Sequence, residues 1–307
     1  QQLFSRTLFP YPRQIVRLNK LINTRTGDAT VRFADVRYSI LDTPVRTNEA
    51  LSDVGFRSQD AFLLLPRGKL QISEPDNPGV VPATNTTTVA NESDDDIEGI
   101  GDAGGQGVVC TRSKTYMLGF GGSPVGVNPD IASDQFGCIA PNSMVSFDGG
   151  CAWLSDRGPV AMMGGTVTWI GQPLERLFYG ESSRYLRDRN GMMRHSWGHH
   201  DAERGLLYFG VFANRAVDTT QEVTVSYRGA SYSWADTENY ADRDKIRSRF
   251  PCDEVLVYSY RTGVWSVWRP PTCLGIMWMA RGLDADGNNR THFLGSDKRL
   301  YAMDDAF

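Results

Sequence analysis

The stretch SMVSFDGGCAWLSDRGPVAMMGGTVTWI, residues 143–170, contains short apolar runs separated by tight-turn signatures. Ser143 to Phe147 turns at Asp148, Gly149 and Gly150 into Cys151 to Leu154. Asp156-Arg157-Gly158 makes the next turn, and Pro159 to Met163 passes through Gly164-Gly165 into Thr166 to Ile170. Hairpin turns demand positive φ at one or more central residues, which glycine adopts without a Cβ penalty and Asp or Asn tolerates. Runs this short, between turns this close, are consecutive antiparallel strands and not helices.

The same grammar extends in both directions. Val108 to Thr111 reaches Thr115 to Leu118 through Arg112-Ser113-Lys114, and His195 to His200 turns at Asp201 to Gly205 into Leu206 to Phe212. Glu254 to Tyr260 turns at Arg261, Thr262 and Gly263 into Val264 to Trp268. Ile276 to Gly282 turns over Asp284 to Asn289 into Thr291 to Leu294, and a last hairpin crosses Gly295 to Lys298 into Leu300 to Met303. Residues 107–307 are therefore expected to be all-β, in a sandwich, a barrel or a propeller, and a β-propeller of repeated antiparallel hairpins is the reading adopted, because small sheets around an axis dispose of exposed edges. At roughly 40 to 45 residues per blade this region accommodates about four or five blades. A helix is expected around Leu174 to Arg189, where Leu174, Leu177, Phe178 and Tyr185 share a face.

The N-terminal part is less regular. Residues 1–75 are read as a β-containing region or arm, with strands expected in Thr30 to Ile40 and Ala61 to Ile72. Residues 76–106 carry Pro78, Pro82, the run Asp94-Asp95-Asp96 and a glycine-rich stretch, the composition of an exposed acidic loop or linker. The first residues lack an initiator Met and a signal-peptide pattern, so a processed or partial chain is expected.

Composition bounds the function. Of 307 residues 40% are hydrophobic and 22% charged, and no apolar run approaches the roughly 18 to 20 residues that cross a bilayer, so no membrane span is expected. The net charge of −4 comes from 32 basic and 36 acidic residues. It argues against static binding of nucleic acid along a basic stripe while leaving its passage open. Cys110, Cys138, Cys151, Cys252 and Cys273 are odd in number and irregularly spaced, with no C-x-x-C pair. They are expected to be free, mostly buried thiols from a reducing compartment.

Candidate chemistry is sparse. Ser146 to Trp153 resembles the Asp-box turn of sialidase-type propellers, Ser-x-Asp-x-Gly-x-Thr-Trp, with a departure at Ala152. That box stabilises a turn and speaks for fold. Asp201 and Glu203, like Asp236 and Glu238, lie in turn or loop contexts, and no pair of facing carboxylates is assigned to glycoside chemistry. Neither a G-x-S-x-G elbow nor a phosphate-binding loop is present, so no catalytic residue and no cofactor are expected. His195, Trp197 and His199 alternate along one presumed strand, next to His200 and Asp201. His195 and His199 are the imidazoles a metal would use, but packing of Trp197 beside a turn accounts for the same pattern, and no metal is assigned. Trp153 and Trp265 each follow a tight turn and are expected to be buried. The hairpin holding Tyr258, Tyr260, Trp265 and Trp268 has stacking on sugars or bases as its alternative use.

Two stretches together carry a family resemblance. Phe136-Gly137-Cys138-Ile139-Ala140-Pro141-Asn142-Ser143-Met144-Val145, running on through Cys151-Ala152-Trp153-Leu154-Ser155-Asp156-Arg157-Gly158, resembles the "G-C-[VI]-A-P-x-S-V … Y-W-L-S-x-x-G-V" segment of propeller proteins in bacteriophage tails. Glu254 to Ser266, followed by Phe293 to Tyr301, is similar to later blades of the same proteins. These are the hub or packaged-DNA-stabilisation proteins and the tail tubular (nozzle) proteins of short-tailed phages. The resemblance implies a non-catalytic virion protein of the tail, assembled in the host cytoplasm. It implies copies, commonly six, forming a ring below the portal and adaptor proteins, beside other tail proteins. Genomic DNA would be retained by the ring and pass its lumen with weak contacts at ejection. The readings that stand beside it are a receptor- or glycan-binding propeller of a tail fibre and a polysaccharide hydrolase.

Overall fold

The computed structural model describes residues 52–53, 61–65, 68–72, 85–90, 96–120, 127–178, 193–212, 225–232, 250–268, 275–283, 289–296 and 299–303. Strands pair antiparallel among them. Strands β1 (Ser52–Asp53), β2 (Ala61–Leu65), β3 (Lys69–Ile72) and β4 (Thr86–Thr88) form one sheet in chain order. β5 (Ile97–Asp102), β6 (Gly107–Thr111), β7 (Thr115–Phe120) and β8 (Val127–Ser133) form the next. β9 (Val145–Phe147), β10 (Gly150–Ser155), β11 (Gly158–Met163) and β12 (Thr166–Thr168) form a third, built from the stretch quoted at the outset.

Further along, β13 (Trp197–Asp201), β14 (Leu206–Val211), β17 (Glu254–Ser259) and β18 (Val264–Trp268) share a sheet. The separate hairpin of β15 (Val225–Tyr227) and β16 (Ala230–Tyr232) lies between β14 and β17 in sequence. β19 (Ile276–Leu283), β20 (Asn289–Gly295) and β21 (Leu300–Ala302) close the series. The fold class is all-β, a succession of small antiparallel meanders, as the turn spacing predicts.

Two compact units divide the chain: residues 1–138, 146–155 and 160–168 in the first, the remainder in the second. In the first, β6 and β10 are buried at every position, which requires cover on both faces. Val108, Val109, Cys110, Cys151, Trp153 and Leu154 are among its fully enclosed side chains. In the second, Trp197, Tyr208, Phe212, Val255, Ile276, Met279 and Phe293 belong to one apolar cluster, joining the faces of the β13–β18 and β19–β21 sheets.

One expectation needs correction. The linker assigned to 76–106 contains β4 and all of β5, and β5 is an integral strand of its sheet, so the meanders begin before residue 107. Gly99 and Gly101 hide its alternation, and a register shift between Ile97 and Gly99 lets Ile97, Glu98 and Gly99 all be buried in succession. Of the helix placed at Leu174 to Arg189, the described residues hold one helical turn, Glu175–Phe178, after a 3-10 turn at Gln172–Leu174. Leu174 and Phe178 are buried as their shared face predicts, and the rest of that helix and the Thr30 to Ile40 strand lie outside the described residues. Cys110, Cys138, Cys151 and Cys252 are free and buried, while Cys273 is outside the described residues. Among the described residues no helix is long and apolar enough to cross a membrane.

Candidate functional site

Both predicted turns are in place. Gly149 has φ of 78° and Gly263 has φ of 71°, the left-handed conformation that excludes most side chains. Gly150 is glycine for a different reason: a Cβ there would lie 2.6 Å from the Phe147 ring and 2.8 Å from the Met162 carbonyl oxygen. Asp148 is exposed at the tip. In the second turn the Gly263 N–H donates to the Ser259 carbonyl at 2.8 Å and the Thr262 N–H to Ser259 Oγ at 3.3 Å. Arg261 donates to the Ala202 carbonyl at 3.1 Å, tying this turn to the one between β13 and β14.

The two tryptophans differ. Trp153 is wholly enclosed, at 0% exposure. Trp265 is only half-buried, because β18 is the last strand of its sheet and exposes most of its residues. It is nonetheless anchored, donating from Nε1 to the Ile170 carbonyl at 2.8 Å and lying 4.7 Å from the Tyr258 ring. The histidine pattern also changes. His195 sits in a 3-10 turn, Met193–His195, ahead of the strand, so it does not share a face with His199. Among the described residues no three His, Cys, Asp or Glu side chains gather as a metal would require.

What the second unit assembles instead is a polar cluster at the edge of its apolar core. Strand alternation puts Trp197, His199 and Asp201 on one face of β13, and the ladder sets them opposite Gly210, Tyr208 and Leu206 of β14. Gly210 leaves room for the Trp197 indole, which a Cβ would strike, and Trp197 faces Trp278 of β19 at 6.2 Å.

Asp201, almost fully buried, ends the strand. Its Oδ2 accepts from Thr291 Oγ1 of β20 at 2.7 Å, and its Oδ1 accepts from the Arg204 N–H at 3.2 Å. Arg281 of β19 lies 3.9 Å from Oδ1 and pairs with Glu203, and Arg204 Nε lies 3.9 Å from Oδ2. Burial alone would raise the carboxyl's pKa, but the Thr291 and Arg204 hydrogen bonds and the two guanidiniums outweigh it and hold it below the usual value.

Beside this carboxylate stand two aromatic groups, His199 and Tyr208, with ring centroids 6.0 Å apart. His199 Nε2 is buried with no hydrogen-bond partner. Burial lowers its pKa to about 4, with His200 and Arg281 acting in the same direction and the Asp201 charge opposing them. The Tyr208 hydroxyl is buried and makes no hydrogen bond of normal geometry; burial, then the Asp201 charge, raises its pKa, and the neighbouring Arg204 opposes the rise. His200 points to the other face, its Nε2 3.2 Å from Tyr260 Oη.

Chemically this is a clasp. Both oxygens of Asp201 are engaged, so it is poorly placed to take a proton from a substrate, and Glu203 is 67% exposed and occupied by Arg281. Sequence reasoning had His199, Asp201 and Glu203 in view but missed Tyr208, Arg281 and Thr291. Thr291 lies 90 positions from Asp201, and a bond between sheets leaves no spacing signal in the chain.

No protein-family model and no curated protein matches the chain. Among solved structures, the extracellular domain of a one-component system from B. thetaiotaomicron aligns with 80% of this chain and 25% of its own, at 10% identity and a TM-score of 0.40. Dihydro-heme d1 dehydrogenase NirN, in complex with DHE, aligns with 80% of this chain and 55% of its own, at 10% identity and a TM-score of 0.28. The chain thus spans about a quarter and about half the length of these two proteins.

Proposed function

We propose that this chain is a ring-forming structural component, a hub or nozzle, of the tail of a short-tailed bacteriophage. The observation that carries the reading is the use made of the phage-like segment 136–158. Its Gly137, Cys138, Ile139, Ala140 and Ser143, and Cys151 to Ser155, are all buried. Ala140 to Ser143 closes a 3-10 turn in which the Ser143 hydroxyl donates to the Ala140 carbonyl at 2.7 Å. The resembling residues thus serve the framework, which is what a scaffold protein and its relatives have in common.

In this reading several copies, commonly six, close a ring through a heterologous interface, below portal and adaptor proteins and in contact with other tail proteins. The net charge of −4 suits a lumen through which genomic DNA passes, since an acidic protein gains little from counterion release and does not trap the phosphate backbone. The chain is then a virion protein of the tail, assembled in the host cytoplasm, without catalytic activity of its own. Immunogold labelling of virions is the test, with label expected on the tail and loss of infectivity on deletion of the gene. Label absent from the tail, or full infectivity without the gene, overturns the proposal, and binding on a glycan array would then favour the tail-fibre reading.

A further inference from the structure

At the Asp201 clasp the sheet of β13, β14, β17 and β18 is bonded to the sheet of β19, β20 and β21 by charge as well as by apolar contact. Thr291 and Arg281 reach Asp201 from β20 and β19, and His199 lies two residues before it on the same face. We propose that His199 and the Asp201 clasp form an acid-sensitive latch between these two sheets, closed while the imidazole is neutral and released when it takes a proton. This inference is independent of the proposed function.

The surroundings of His199 leave a proton no good home. On its own strand Asp201 shares its face and His200 occupies the other. The following turn brings Glu203 and Arg204, β14 brings Tyr208, β19 brings Arg281, and β20 brings Thr291, which does not titrate, flanked by Arg290 and His292. A protonated His199 would be a further cation among Arg204 and Arg281. Among the described residues, the buried carboxylate beside it, Asp201, already holds Thr291 Oγ1 and the Arg204 N–H. The exposed Glu203 is screened by water. Separating the sheets exposes the imidazole to solvent and relieves the conflict.

The direction of the pH effect follows. A histidine whose folded pKa lies below its unfolded value binds fewer protons when folded, so its contribution is full above 6.5 and declines as pH falls towards about 4. Asp201 is depressed from 3.8, so its own contribution is lost only at still lower pH. Between these limits the latch belongs to His199. One proton taken up on opening makes the open form about tenfold more populated per pH unit in that window.

Amide hydrogen exchange read by mass spectrometry on the full chain, corrected for the intrinsic pH dependence, tests this. Peptides covering 197–201 and 276–283 should lose protection together, about tenfold per unit below pH ~6, while peptides in 107–120 hold theirs. His199→Gln should abolish that step. Thr291→Val keeps the imidazole but breaks the clasp, and should raise exchange of both segments already at neutral pH. Protection unchanged down to pH ~4, or the same step in a folded His199→Gln protein, overturns the proposal. Should His199→Gln not fold, unchanged neutral-pH exchange in Thr291→Val overturns it equally.

Discussion

The indole N–H of Trp153 donates to the main-chain carbonyl of Gly137 at 3.0 Å, joining the two halves of the segment that runs from Phe136 to Gly158. Trp153 is, with Trp197, one of the two largest fully buried side chains among the described residues, and Gly137 precedes Cys138, whose N–H donates to the Thr111 carbonyl at 2.8 Å. One side chain therefore pins β10 to the segment that packs against the end of β6.

Trp153→Ala removes both the ring and the bond, and a cost of roughly 3–5 kcal/mol is expected. Trp153→Phe fills much of the space but leaves the Gly137 carbonyl unsatisfied, with an expected cost of about 1–3 kcal/mol. Chemical denaturation of the two variants beside the parent checks the order. Equal stability of all three would mean that this bond contributes nothing.

Gly137→Ala and Gly149→Ala separate two reasons for being glycine. A Cβ at 137 would collide with the Arg112 carbonyl, a backbone group that cannot swing aside. A Cβ at 149 meets nothing within 4 Å, and only the φ of 78° opposes it. The first substitution should prevent accumulation of folded protein, whereas the second should cost about 1–2 kcal/mol and leave the far-UV spectrum unchanged. Thermal melts of soluble protein decide between these outcomes.

Tyr208→Phe should leave the melting temperature unchanged or raise it. The buried hydroxyl makes no hydrogen bond of normal geometry, and replacing such a group by an apolar one of the same shape is close to neutral or stabilising. A drop in Tm of more than about 4 °C, corresponding to roughly 1 kcal/mol or more, would show that the hydroxyl has a partner in solution.

Burial raises the thiol pKa of Cys110, Cys151 and Cys252. In the native protein these thiols should therefore not react with a disulfide reagent at mildly alkaline pH, and they should all react once it is denatured without reductant. Rapid labelling of any of the three in the native state, mapped by mass spectrometry, would contradict their placement.

The turns were legible because they are local: Gly149 and Gly263 announce a backbone conformation that neighbouring residues cannot alter. Trp153 was legible for a similar reason, since it lies on a strand enclosed on both faces. Trp265 follows the same kind of turn and came out half-buried, because its position at the end of a sheet depends on what lies beyond β18 and leaves no trace in the hairpin itself. His195 failed as a strand residue for want of a register: five residues of β13 pair with β14, and the ladder starts only at Trp197. The clasp was the least visible feature, since Asp201 and Thr291 are brought together by the packing of two sheets.

The sheet of β13, β14, β17 and β18 differs from the other four-stranded sheets in that its second and third strands are separated by residues 212–253. During synthesis, β5–β8 and β9–β12 can each zip up as soon as their fourth strand leaves the ribosome. β13 and β14 must instead wait as an open hairpin, with the backbone edge of β14 and the rings of Trp197 and Tyr208 uncovered until Glu254–Ser259 emerges. That interval is when a nascent chain of this protein is most open to pairing with the wrong edge, its own or a neighbour's.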